Sequence, residues 1–248
     1  MSLPKLSIPT YNVELPSTGK KVLMKSLTAK EFKLLLVAKE SSNIEQMIIT
    51  MRQLLRNCLL DNKIDVDKMY IFDAEYLFIH MMTASTAERR PQLYYKCKNA
   101  IVDEDGNEKT CDTSNTIMPD LHAAKVIVPE KTECVITGET ESGEKIMMSF
   151  KFPTIGSLEG VVSSNDAMAV IASCMVKVST EESVSILGRD YSVEESSEFI
   201  SNMTDETIQE VSDFFSTVPK LTIEHKFKCK ACGCDHVVKL EGIQDFFM

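Results

Sequence analysis

Tryptophan is absent from this 248-residue chain. So is any apolar run approaching the roughly 20 residues that a helix needs to cross a bilayer, which excludes a helical membrane anchor. The stretch from Met1 to Leu15 has no charged segment followed by an apolar stretch and a cleavage site, so no secretory signal is expected. An excess of positive charge is missing as well. Lys and Arg number 27 against 37 Asp and Glu, a formal net charge of −10. A general nucleic-acid binder needs clustered cations to neutralise phosphates, and this balance argues against one. Internal repeats and low-complexity linkers are also lacking.

Catalytic signatures are missing too. The chain has no Gly-x-x-x-x-Gly-Lys phosphate loop, no Gly-x-Ser-x-Gly elbow and no His-Glu-x-x-His. His80 falls in an apolar helical stretch, where a satisfied core histidine is the expectation. His122 follows Asp120 and Leu121 in a loop with no recognisable nucleophile nearby. The acidic run Asp103 to Glu108 lacks the alternating ligands of an EF-hand loop and reads as a solvated turn. Glu181-Glu182 and Glu194-Glu195 read as solvated faces and helix starts. The expectation is a protein that is not an enzyme.

The length suffices for a real hydrophobic core, in one irregular domain or two small ones. Apolar residues at 44% and charged residues at 26% exclude global disorder. Fourteen methionines suggest an adaptable core or contact surface. Along the chain, Tyr11 to Leu15 and Lys21 to Lys25 flank the turn residues Pro16-Ser17-Thr18-Gly19 and predict a hairpin. Thr28-Ala29-Lys30-Glu31 matches a capping box, opening a helix to about Lys39. Helices are further predicted from Ile44 to Leu60 and from Asp73 to about Thr83. Strand character marks Gln92 to Lys98, Lys125 to Pro129, Cys134 to Gly138 and Lys145 to Phe152, with Glu141-Ser142-Gly143-Glu144 as a hairpin turn. Helices follow over Asn165 to Met175, from Ser192 to Asn202 and from Thr204 to Ser216. Leu221 to Lys228 and His236 to Leu240 close the chain as strands.

The predicted fold class is α+β: an N-terminal β-hairpin and helical array, central strands, and C-terminal helices closed by a split zinc-ribbon-like element. The regions are 1–90, 91–160 and 161–248, with 91–111 and 221–248 forming one zinc-stapled unit.

The eight cysteines do not read as a disulfide framework, which belongs mainly to short secreted domains, so a reducing compartment is expected. Cys58 and Cys174 lie in apolar surroundings and read as small core hydrophobes. Lys228-Cys229-Lys230-Ala231-Cys232-Gly233 has the form of a zinc knuckle. A two-residue spacer lets both thiolates converge on one metal, and the glycine permits the tight turn that follows. A closed structural site needs four ligands, and Cys97 and Cys111, beside a strand and a polar turn, are the best source of the other two. Their 13-residue spacer is long for a knuckle, but folded as a hairpin it brings the sulfurs together. Cys234, His225 and His236 are alternatives in a local site, and unliganded thiols are the bland reading. Four thiolates leave no open position for water activation, so the metal, Zn2+, would be structural.

The chain resembles the T4-type bacteriophage baseplate hub and hub-assembly protein family over nearly its whole length. The resemblance is carried by Val13-Glu14-Leu15-Pro16-Ser17-Thr18-Gly19-Lys20-Lys21-Val22 and by Glu31-Phe32-Lys33-Leu34-Leu35-Leu36-Val37-Ala38-Lys39-Glu40. It continues in Asn57-Cys58, Ile71 to Phe78 and His80 to Glu88, and ends most specifically in Phe227-Lys228-Cys229 through Cys232-Gly233 to Leu240-Glu241-Gly242 and Asp245-Phe246-Phe247. It implies a non-enzymatic phage tail protein that helps build the contractile-tail baseplate hub, as a structural hub component or as a chaperone-like assembly factor lost before maturity. Its expected partners are other tail and hub proteins, including the tape measure protein, with neither nucleic acid nor membrane. Its expected location is the host cytoplasm during virion assembly and, for a subunit, the tail baseplate. The family's zinc-ribbon elements fit the paired cysteines, and the long Cys97–Cys111 spacer departs from the tighter pair expected there.

Two function classes therefore stand side by side. In the first, surfaces such as Phe246-Phe247-Met248 bind other tail proteins or fold back into the core. In the second, a zinc ribbon reads nucleic acid, supported only by Lys226, Lys228 and Lys230.

Overall fold

The computed structural model describes residues 6–41, 43–85, 92–102, 106–140, 142–159, 161 and 166–247, with backbone alone at 39, 41, 246 and 247. Strands β1 (Thr10–Glu14) and β2 (Lys21–Lys25) form the opening antiparallel hairpin, in register from Thr10–Lys25 to Glu14–Lys21. Alternation along them buries Val13, Val22 and Met24 on one face. The turn is tied down from a distance, since the Ser17 N–H donates to the Asp73 carboxylate at 2.9 Å.

Helices α1 (Ala29–Ser41), α2 (Ile44–Cys58) and α3 (Ile71–Ser85) follow. The capping box at α1 forms: the Thr28 N–H donates to Glu31 Oε2 at 2.7 Å, and the Glu31 N–H reaches Thr28 Oγ1 at 3.5 Å. Asn43 caps α2, which buries Met47, Met51, Leu54, Leu55 and Cys58 on one stripe. Helix α3 differs, because it is buried on more than one side. Ala74, Leu77, Phe78 and Met81 pack into the cluster of the hairpin and α2, while Ile79 packs with Leu221, Ile223 and Leu240. It is the wall shared by the N-terminal core and the C-terminal sheet.

The middle of the chain holds β3 (Leu93–Lys96), β4 (Ala100–Val102), β5 (Glu108–Thr110), β6 (Ser114–Ile117) and β7 (Lys125–Val126). Strand β3 pairs with β6 and β4 with β5, so these four are one interrupted hairpin. Asp103 to Asp105, part of the predicted acidic turn, lie outside the described residues. Strands β8 (Glu133–Glu139) and β9 (Lys145–Lys151) make the predicted hairpin. They join β10 (Met175–Ser179) and β11 (Val184–Ile186) in an antiparallel sheet of order β11-β10-β9-β8.

Helix α4 (Ala167–Cys174) begins behind the cap Asp166, later than the predicted Asn165, which lies outside the described residues. The chain then passes directly into β10. The largely apolar run from Ala167 to Met175, broken by Ser173, conceals that switch, and pairing with the edge of β9 decides it. Helices α5 (Val193–Ser201) and α6 (Asp205–Ser216) cover this sheet, with Ile200 and Val211 packed on Ile136, Met148 and Phe150. The predicted box at Ser192 forms reciprocally with Glu195. Strands β12 (Leu221–Lys228) and β13 (Asp235–Glu241) pair over seven residues, β7 joins on the far side of β12, and α7 (Gln244–Phe247) closes the chain. Mixed helices and small antiparallel sheets make this an α+β fold. The side chains of Phe246 and Phe247, and Met248 itself, lie outside the described residues, as does their predicted contact role.

Charge is unevenly spread. Residues 181–213 hold ten acidic side chains, all exposed, against the single Arg189, so this stretch carries nine of the ten excess negative charges. Among the described residues, no helix is long and apolar enough to cross a membrane.

Candidate metal centre

The interruption in the central hairpin is where its cysteines sit. Between the Lys96–Ser114 and Ala100–Thr110 pairs, three residues on each side leave the regular ladder. Here the Cys97 N–H donates to Thr113 O at 2.9 Å, the Cys111 N–H to Asn99 O at 2.8 Å and the Asp112 N–H to Cys97 O at 3.0 Å. Asp112 takes a left-handed φ of 53°, and Asp is among the few non-glycine residues that tolerate it. These three backbone bonds hold the break together while the Cys97 and Cys111 sulfurs converge on one cluster.

The C-terminal knuckle joins β12 to β13. The Gly233 N–H donates to Cys229 O and the Cys229 N–H to Cys234 O, both at 2.9 Å. Gly233 has φ 70°, and no atom lies within 4 Å of the position its Cβ would take, so conformation rather than space calls for glycine there.

The two halves meet at their sulfurs. Cys97 Sγ lies 3.7 Å from Cys232 Sγ, and Cys111 Sγ lies 3.8 Å from Cys229 Sγ. All four sulfurs fall within 4.8 Å of one another. A zinc ion bound tetrahedrally by sulfurs at about 2.3 Å separates those sulfurs by about 3.8 Å. The two closest contacts match that spacing and are far longer than the roughly 2.05 Å of a disulfide. Both cross from the central hairpin to the knuckle, so a metal here would join segments more than 100 residues apart in sequence.

Electrostatic settings differ among the cysteines. Backbone N–H groups of Cys232 and Ala231 draw the Cys229 thiol down to about 6, which favours thiolate at neutral pH. The Thr113 hydroxyl, then its N–H, lower Cys111. Burial pushes Cys97 up to about 12, so metal uptake there displaces a proton. Burial likewise raises Cys58 to about 12 and Cys174 to about 11, and both are completely buried as the sequence predicts for core packers.

The alternatives lie around this cluster. Cys234 turns to its neighbour, with Sγ 3.6 Å from Asp235 O. His225 stacks on Phe227 with ring centres 6.3 Å apart. His236 touches the site without joining the four, its Nε2 lying 3.1 Å from Cys97 Sγ. Elsewhere, the His80 ring lies against Tyr76 with ring centres 4.4 Å apart and planes tilted by 58°, and burial together with nearby His122 lowers its pKa. That histidine pair was not legible in sequence, because α3 and the turn at Leu121–Ala123 meet only in the fold.

Comparison with known proteins adds the biological context. The family model described as "T4 bacteriophage base plate protein" matches residues 8–248. The baseplate hub assembly protein gp26 of Enterobacteria phage T4 is 22% identical over 238 residues, covering 96% of this chain and 97% of that protein. No solved structure gives a significant match.

Proposed function

The chain belongs to the T4 bacteriophage base plate protein family, and from that premise we propose that it is a non-enzymatic component or assembly factor of the baseplate hub. It works through contacts with other tail proteins, the tape measure protein among them, and carries a structural zinc ion on Cys97, Cys111, Cys229 and Cys232. The match along 241 of 248 residues, residues 8–248, is the observation that carries the reading. A relative of nearly the same chain length, named as a hub-assembly protein, supports the finer assignment.

The zinc reading is supported by the chemistry of the donor set. Four sulfur donors within 4.8 Å of one another suit Zn2+, and a filled sulfur shell polarises no substrate. The ion would make 91–111 and 221–248 one unit, a split zinc-ribbon-like element resting on α3. Protein contacts are favoured over nucleic acid by the charge distribution. Lys228 lies 3.6 Å from Asp235, and Lys239 pairs with Glu241 at 2.7 Å, so cations on the ribbon strands are partly neutralised within the chain.

The protein acts in the host cytoplasm, where tails assemble, and a hub subunit would remain in the virion. Mass spectrometry of purified hub and tail intermediates and of finished virions tests this. Presence in intermediates alone identifies an assembly factor, and presence in both identifies a subunit. Absence from both overturns the proposal. Salt-sensitive DNA binding at neutral pH would instead favour a nucleic-acid role.

A further inference from the structure

Each sulfur of the cluster meets one side-chain partner beyond the other cysteines. His236 Nε2 lies 3.1 Å from Cys97 Sγ and Thr113 Oγ1 3.2 Å from Cys111 Sγ. Asn115 Nδ2 lies 3.5 Å from Cys229 Sγ, and Asn99 Nδ2 lies 3.7 Å from Cys232 Sγ. Four thiolates around a divalent cation leave two negative charges in excess. Partial burial of that charge is costly unless N–H and O–H dipoles face it.

Asn115 is the most constrained of these partners. It is buried on β6, in the central hairpin, yet it binds the knuckle. Its Oδ1 accepts the Lys230 N–H at 2.9 Å. Only an oxygen can accept that proton, so the amide orientation is fixed and Nδ2 must face the sulfur. The second Nδ2 hydrogen goes to Thr113 O at 3.0 Å. His236 approaches from β13, its ring packed against both Phe227 at 5.2 Å and Tyr95 at 5.3 Å, which sets the direction of Nε2.

We propose that Asn115 and His236 are positioning residues of the metal centre, each donating an N–H to a ligating thiolate: Asn115 to Cys229 and His236 to Cys97. One sulfur in each half of the site is thus held by a side chain whose own geometry is locked elsewhere. This rests on the four-thiolate zinc reading, and metal-ligand partners of this kind are worth about 10–100-fold in metal affinity.

The test uses the full chain, zinc alone as ligand and competition with a chromophoric chelator. Asn115→Asp keeps the acceptor for Lys230 but turns a carboxylate oxygen toward the Cys229 thiolate. It should weaken zinc binding about 10–100-fold. His236→Phe keeps the ring packing and removes the N–H, with the same expected loss, and His236→Gln should recover most of it. In the cobalt-substituted protein, the sulfur-to-metal charge-transfer band should move in Asn115→Asp and His236→Phe but not in His236→Gln. A merely structural role would lower the thermal stability of metal-free and metal-bound protein alike and leave the band in place. Wild-type affinity and an unmoved band in both disruptive variants overturn the positioning roles while the zinc reading stands. A wild-type chain that binds no stoichiometric zinc overturns the zinc reading itself. Should Asn115→Asp fail to fold, the His236 pair decides the matter.

Discussion

Chelating the metal should release the central hairpin while the N-terminal helical core stays folded. The stretches 97–102 and 108–111 hold ten residues, and fixing their backbone costs about 10–20 kcal/mol at about 1–2 per residue. Little burial offsets this: every side chain of β4 and β5 is exposed or half-buried. Cross-strand hydrogen bonds add only about 1 kcal/mol each, and an isolated two-stranded hairpin is marginal in water. A structural zinc site contributes about 10–16 kcal/mol, enough to reverse the balance. The N-terminal core is independent of it. Met24, Met51, Leu54, Leu55, Leu77 and Phe78 are fully buried there, and each such side chain contributes about 1.5–3 kcal/mol. Hydrogen–deuterium exchange read by mass spectrometry, with and without chelator, separates the regions. Peptides covering 93–117 and 228–236 should lose protection, and those covering 44–58 and 71–85 should keep it. Unchanged protection at the hairpin, once metal analysis shows the zinc has left, would refute the reasoning.

Cys234→Ser should leave zinc content and thermal stability unchanged, whereas Cys97→Ser and Cys229→Ser should each release zinc; metal analysis of the purified variants checks both. Gly233→Ala meets no steric obstacle but forces a side chain into φ 70°, so it should cost about 1 kcal/mol or somewhat more in denaturant unfolding of the zinc-loaded protein. Burial pushes the Glu75 carboxyl from 4.5 up to about 7, against the opposing Ile243 N–H at 3.0 Å. The folded state therefore holds that proton more tightly than the unfolded chain. The resulting stabilisation is complete below about 4.5 and is lost as pH rises through about 7. Glu75→Gln keeps an acceptor for Ile243 without the charge, so it should be neutral at pH 4 and stabilise by up to about 3 kcal/mol at pH 8. Thermal melts across that range would contradict this if the variant were less stable at every pH.

The capping boxes at Thr28 and Ser192, the hairpin around Gly19 and the knuckle ending at Gly233 were legible because each is settled within a few residues. Cap donors, turn conformations and a two-residue cysteine spacer need no distant partner. Cys97 and Cys111 could be named as the complementary pair, but not the means of their convergence. That depends on a three-residue break in the ladder and a left-handed Asp112, neither of which has a strong sequence signal. Strands β10 and β11 were missed because they are short and mix polar with apolar residues; pairing with the edge of β9 decides β10, and β10 in turn decides β11. The roles of Asn115 and His236 were likewise invisible, since each reaches its sulfur only when the hairpin docks on the knuckle. Sequence alone thus determined the local elements and the cysteine types capable of holding a metal. The tertiary structure decided which sulfurs face one another and which dipoles face them, because those contacts span more than 100 residues and no local pattern encodes such a distance.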